Sequence, residues 1–404
     1  MARSGKSMTA TEMAAAAAGG LALAYPAYLA LMFRSHDWIL TANGRPVITD
    51  FLVFWLAGRS ALQGAAAAAY DPHILHAAEA AAAGHAFAGQ LPWRYSPIFL
   101  FAVAALALLP YLMAFLVWIG GTLAAFSIAI SRIAGARLAL VLACATPAVF
   151  INAICGQNGP LTAALIGGAL LTLEERPVLS GFFLAFLTYK PQLGILFPFV
   201  LVIGGYWRTL ISATVTTAAL ILASWAAFGA AALVAFVHFL PITTNTLLVH
   251  GANGFNKLQT VYGLVRSLGY GNGAGWAAQT VVILVPAGLL LWLWRREVPF
   301  ALKAAALAVA TLLVTPHLYA YDFAVLAVSF AFLYRHHPFD LLDMAGIALA
   351  NLCIGLFLFF PSPIGLASVA IAGALIARRV VHAMQHSTPC EFAGEYLLLQ
   401  HPLT

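Results

Sequence analysis

The chain has 404 residues, 63% hydrophobic and 8% charged, with a net charge of +6 and a mean hydropathy of +0.94. A soluble domain needs roughly three times that charged fraction to cover its surface, so the composition excludes water-soluble folds and makes lipid the solvent. The 19 basic residues are scattered between apolar runs; they read as topology determinants facing anionic lipid, and nucleic acid is not an expected partner.

Arg3 and Lys6 precede an apolar run from Met13 to Phe33, a signal-anchor pattern with its N-terminus inside the cell. Ala22-Leu23-Ala24 could mimic a signal-peptide cleavage site, but the run continues beyond it, so an uncleaved helix is expected. Residues 34–94 then form an outer loop with two amphipathic helices, over 51–63 and 73–88, separated by Gly64 and Tyr70-Asp71-Pro72. A long ordered loop in a chain that otherwise spends its residues on spans is a functional candidate.

Apolar segments follow at 96–110, 111–131, 138–155, 160–173, 178–204, 209–228, 276–294, 299–316, 320–334, 341–360 and 362–380, about 12 spans with the first helix. The expected fold is all-α, a polytopic transmembrane bundle forming a single integral membrane domain over 1–404. Counting crossings places Arg208, Arg295-Arg296, Arg335 and Arg378-Arg379 in the cytoplasm but leaves Arg132, Arg137 and Arg176 outside. Segment 178–204, interrupted at Lys190-Pro191, could instead be two half-helices. Residues 229–275 are a second outer region, with a surface helix over 231–248 and a Gly/Asn-rich loop containing Asn253, Asn256 and Lys257. Of four cysteines, Cys144, Cys155 and Cys353 lie in apolar runs and read as small core residues; Cys390 follows the last span.

Charged groups near bilayer depth are costly and therefore mark candidate sites. Asp50 opens the segment Asp50-Phe51-Leu52-Val53-Phe54-Trp55; it could take a proton from a substrate hydroxyl, or simply cap the helix. Asp71 before Pro72 has the order of a cap and a first-turn proline, and is also a candidate ligand-binding group. Arg94, between Trp93 and Tyr95, could grip a lipid phosphate or snorkel as an interface anchor. Gln157 and Asn158 form a polar break, either a binding element or a turn. Lys190 lies inside an apolar stretch and needs an anionic partner, for which a phosphate would serve. His317, Tyr319, Tyr321 and Asp322 crowd one short connection, a binding group or an aromatic belt with a satisfied histidine. His382 and His386 have metal-ligand spacing by coincidence, and no metal or other cofactor is expected. P-loop, Rossmann, Gly-x-Ser-x-Gly and HExxH patterns are absent.

These motifs together resemble glycosyltransferase family 87. The resemblance is carried by Asp50 through Gly64 with Tyr70-Asp71-Pro72, Arg94-Tyr-Ser-Pro97, Leu108-Leu-Pro110, Gly156-Gln-Asn158, Gly181 through Lys190-Pro191, and Thr315-Pro316-His317, in order over residues 48–330. It implies a GT-C-type membrane glycosyltransferase that uses a polyprenyl-phosphate sugar, often mannose, at the outer face of the inner (plasma) membrane, facing the periplasm. It maps the catalytic base onto Asp50. Near residue 317 the family commonly shows a tryptophan and paired histidines, where this chain has Leu318, Tyr319 and Tyr321-Asp322. The resulting expectation is inverting transfer to a lipid or glycan acceptor, with Arg94, Lys190 and His317 at the donor phosphate. The rival reading is a transporter or flippase, supported by the buried Lys190 and the broken helix.

Overall fold

The computed structural model describes residues 10–89 and 91–386, so Arg3, Lys6 and Cys390 lie outside the described residues. Within them the chain is helical without a β-strand, apart from one isolated bridge between Leu40 and Pro46. The helices are α1 (Ala10–Arg34), α2 (Asp50–Leu62), α3 (Pro72–Ala83), α4 (Leu100–Ala107), α5 (Tyr111–Ala134), α6 (Ala136–Ala145), α7 (Pro147–Cys155), α8 (Gly159–Thr172), α9 (Pro177–Leu187), α10 (Leu196–Ile203), α11 (Trp207–Thr244), α12 (Val261–Ser267), α13 (Asn272–Trp294), α14 (Phe300–Leu313), α15 (Val325–His336), α16 (Leu341–Leu356) and α17 (Gly365–His386). Among the described residues five helices (α1, α5, α11, α13 and α17) are long and apolar enough to cross a membrane, or six if α6 and α7, bent by 55°, form one span.

Local chemistry sets the breaks. Pro147 has no N–H to continue the ladder from α6, and the bend falls there. α11 is interrupted at Gly229 (φ 78°), so the helix expected over 231–248 is its second limb. α3 stops at Ala83 because Gly84 takes the left-handed conformation (φ 81°), earlier than the expected end at residue 88. Gly58 lets α2 lie directly on α4, since a Cβ there would fall 2.1 Å from the Val103 carbonyl oxygen.

Contacts sort the helix ends into two groups, one around Asp50 and one opposite. α5 starts with Tyr111 against Phe51 (5.5 Å) and runs to Ala134 at the opposite end. α8 starts beside the Tyr321 backbone, and its Gly167 packs near Ala129 and Ile133, so it descends alongside α5. α9 then returns: Ser212 Oγ donates to the Val178 carbonyl (2.8 Å) near its start, while Tyr189 just past its end bonds Thr162 in the first turn of α8. α10 descends again to Tyr206, whose ring stands 6.1 Å from Trp294 at the opposite end of α13. Segment 178–204 is therefore a hairpin of two half-helices that enters and leaves at one end, not a single crossing. Segment 96–110 also fails to reach the opposite end, because both its ends rest on α2: Phe99 meets Phe54 (5.5 Å) and Leu109 O accepts from Trp55 Nε1 (3.1 Å).

These two changes reverse the expected placement of Arg132, Arg137 and Arg176. They share the opposite end with Arg208, Arg295-Arg296, Arg335 and Arg378-Arg379, where Glu174 is within electrostatic reach of both Tyr206 and Lys303. At that end the fully buried Asp343 accepts from both Arg378 (2.6 Å) and Arg379, tying α16 to α17.

Candidate active site

Asp50 sits at the first position of α2, but the helix is capped by neither of its oxygens: the N-cap is Thr49, whose side chain makes no capping bond. The cap reading of Asp50 is thus replaced by a long-range one, since Asp50 Oδ2 accepts from Gln157 Nε2 at 2.9 Å. Gln157 Oε1 in turn accepts from the buried Tyr95 hydroxyl at 3.0 Å. The turn that presents Gln157 is held on several sides. Trp118 Nε1 donates to the Gly156 and Gln157 carbonyls (both 3.1 Å), and Asn152 Oδ1 accepts from Gly159 N (2.8 Å). Gly156 has φ +71°, and a Cβ there would lie 2.4 Å from Phe51 Cβ, so only glycine lets this turn dock on α2.

Burial pushes the Asp50 carboxyl above the ordinary carboxylate range, opposed by the Gln157 bond and by the charges of Arg94, Lys190 and Lys257. Arg94 approaches His317, with Nη1 3.3 Å from Nε2. Burial and then the Arg94 and Lys190 charges lower the His317 pKa to about 3, so the ring is neutral and offers Nε2 to Arg94 as acceptor. The Arg94 charge is paired with no carboxylate among the described residues.

Lys190 does have an anionic partner, and it is not a ligand. Its Nζ lies 2.6 Å from Asp322 Oδ1, with the side chains 7% and 4% exposed, and 5.1 Å from the centre of the Tyr321 ring. Asp322 Oδ2 accepts from the Tyr319 backbone N–H (3.1 Å), so the same carboxylate also closes the turn before α15. This meets by an internal ion pair the need that a phosphate was expected to meet. The Tyr319 ring is 5.0 Å from that of His317, and its hydroxyl accepts from Asn253 (3.4 Å).

The structure gathers Asp50, Arg94, Gln157, Lys190, His317, Tyr319, Tyr321 and Asp322 from distant stretches into one network. It leaves Asp71 apart, exposed and accepting from His73 N (2.9 Å) and Ile74 N (3.1 Å) as the cap of α3. Asn158 is 0% exposed, and its backbone carbonyl accepts from Thr162 Oγ1. Sequence reasoning missed Tyr95, which reads as one more interfacial aromatic, and Lys257, whose place within electrostatic reach of Asp50 has no local signature. No group of three or more His, Cys, Asp or Glu among the described residues is placed to hold a metal ion.

Residues 93–316 match the family model of glycosyltransferase family 87. The chain belongs to glycosyltransferase family 87. The matched stretch of this family 87 member contains Arg94, Tyr95, Gln157 and Lys190 and ends one residue before His317, while Asp50 precedes it. No curated protein and no solved structure matches the chain. Family membership makes it a glycosyltransferase, and its apolar helices make it a membrane protein.

Proposed function

We propose that this glycosyltransferase moves a sugar, mannose in the first instance, from a polyprenyl-phosphate donor to a lipid or glycan hydroxyl at the outer face of the inner membrane. One observation carries the reading: a carboxylate with one oxygen pinned by Gln157 lies within electrostatic reach of Arg94, a cation with no carboxylate partner among the described residues. Asp50 takes the proton of the acceptor hydroxyl as that oxygen attacks the anomeric carbon. The bond from that carbon to the lipid phosphate breaks on the opposite face, and the departing phosphate's charge falls to Arg94, backed by His317 and Lys257. Configuration inverts in a single displacement. The lipid carries the activated sugar, so no nucleotide site is required.

In place of twelve crossings, the helix directions support ten, formed by α1, α5, α6–α7, α8, the first limb of α11, and α13 to α17, with α9–α10 as a re-entrant hairpin. The arginine-rich end then faces the cytoplasm and the Asp50 end faces outward, in keeping with the positive-inside rule. An apolar groove of about 510 Å³ runs from the hairpin tip at Thr188 and Pro191 along α11, and supports a donor with a long hydrocarbon chain.

The experiment is turnover of the protein in nanodiscs with polyprenyl-phosphate mannose and candidate acceptors. Asp50→Asn should lose about 10²- to 10⁴-fold in rate while still binding donor. A near wild-type rate in that variant would remove Asp50 as the base.

A further inference from the structure

Gln157 entered as a candidate contact for the donor. The geometry points to a different role: we infer that Tyr95 and Gln157 form a positioning pair that orients Asp50, an inference that rests on the base reading above. Gln157 spends both ends of its amide inside the protein, Nε2 on Asp50 Oδ2 (2.9 Å) and Oε1 on the Tyr95 hydroxyl (3.0 Å). It is 6% exposed and Tyr95 is 9% exposed, so neither presents much polar surface to a sugar or phosphate.

The direction of the amide follows from its partners. A carboxylate only accepts, so the NH₂ end must face Asp50, and the carbonyl end then needs a donor, which the tyrosine hydroxyl provides. A flipped amide would set two acceptors against each other at Asp50. The carboxylate therefore sets which end of the Gln157 amide it meets, and the Tyr95 hydroxyl satisfies and holds the other end.

The mounting is stiff. The Gln157 backbone is held by Trp118 Nε1, its neighbour Gly156 is seated on Phe51, and the Tyr95 ring packs against Phe54 (5.3 Å) and Phe99 (5.0 Å). With Oδ2 engaged, the carboxylate cannot rotate freely, and the other oxygen, Oδ1, has no hydrogen-bond partner within the described residues. That oxygen is the one presented to an incoming hydroxyl. A donated N–H also favours the charged form of the carboxyl and so opposes the burial that favours the neutral one.

The test is the pH profile of kcat for Gln157→Met, which keeps length and volume but loses both polar ends. The acid limb should move up by about one pH unit, and kcat at neutral pH should fall about ten-fold, with the donor KM within about two-fold of wild type. Tyr95→Phe, the milder variant should Gln157→Met fold poorly, should move the limb the same way by less. Introduced into Asp50→Asn, Gln157→Met should cause no further loss of the residual rate. If Asp50→Asn is inactive yet Gln157→Met and Tyr95→Phe leave the acid limb unmoved, the positioning role is overturned while the base survives. A raised donor KM with an unshifted profile would return Gln157 to the donor site, and a fully active Asp50→Asn would overturn base and positioning pair together.

Discussion

The Lys190–Asp322 pair makes a prediction that separates structure from substrate binding. Removing one member of a buried pair leaves an uncompensated charge and typically costs about 3–5 kcal/mol, most of it the desolvation of the survivor. Both side chains here are nearly solvent-free and 2.6 Å apart, which puts Asp322→Asn at the upper part of that range. The amide oxygen introduced by Asp322→Asn would still accept from the Tyr319 N–H, so the turn itself is preserved and the loss reports the charge. The double variant Lys190→Met with Asp322→Asn removes both charges and should recover most of the stability, giving a coupling of about 2–3 kcal/mol between the sites. Denaturant unfolding in a fixed detergent micelle, followed by tryptophan fluorescence, measures all four corners of the cycle. Donor affinity, measured separately, should change little in Lys190→Met/Asp322→Asn but fall by about 2–4 kcal/mol in Arg94→Gln. Additive losses in the cycle, or a large drop in donor affinity in the folded double variant, would refute the assignment and return Lys190 to the phosphate.

Three further outcomes follow from other regions. Burial pushes the Glu79 carboxyl up to about 7, opposed by the Leu91 N–H and reinforced by the charge of Asp50. The folded protein therefore holds this proton while the unfolded chain releases it, and stability falls as pH rises from about 4.5 to about 7. Glu79→Gln should be the more stable form above pH 7, by up to about 3 kcal/mol, and match wild type near pH 4.5; parallel melting curves across that range would rule the effect out. Cysteines placed at Gly64 and at Arg176 should label from outside and only after permeabilisation, respectively; outside labelling of Arg176→Cys would contradict the re-entrant hairpin. Gly194 lines the groove with room for a side chain, the nearest atom to a Cβ being 3.4 Å away, so Gly194→Leu should raise KM for long-chain donors several-fold and spare short-chain ones. Equal KM changes for both chain lengths would disconnect the groove from the donor.

Composition and periodicity were enough to establish a helical membrane protein, the two amphipathic helices of the first loop, the Asp71 cap and the residues of nearly every motif at the site. These are properties of short stretches: apolar content sets the solvent, and a cap or a helix-breaking proline acts within a turn or two. Hydropathy registers that a segment is removed from water but not whether lipid or protein removes it, so 96–110 and 178–204 read as spans when one rests on α2 and the other doubles back. The direction of that hairpin depends on contacts such as Ser212 with Val178, which no local pattern announces. The partners that define the site are equally remote, Asp50 from Gln157 by 107 residues and Lys190 from Asp322 by 132. Sequence alone marked Lys190 as a buried charge in need of an anion. Only the tertiary structure decided that the anion is Asp322, because pairing within the fold satisfies both charges at once, while Arg94 has no carboxylate partner among the described residues.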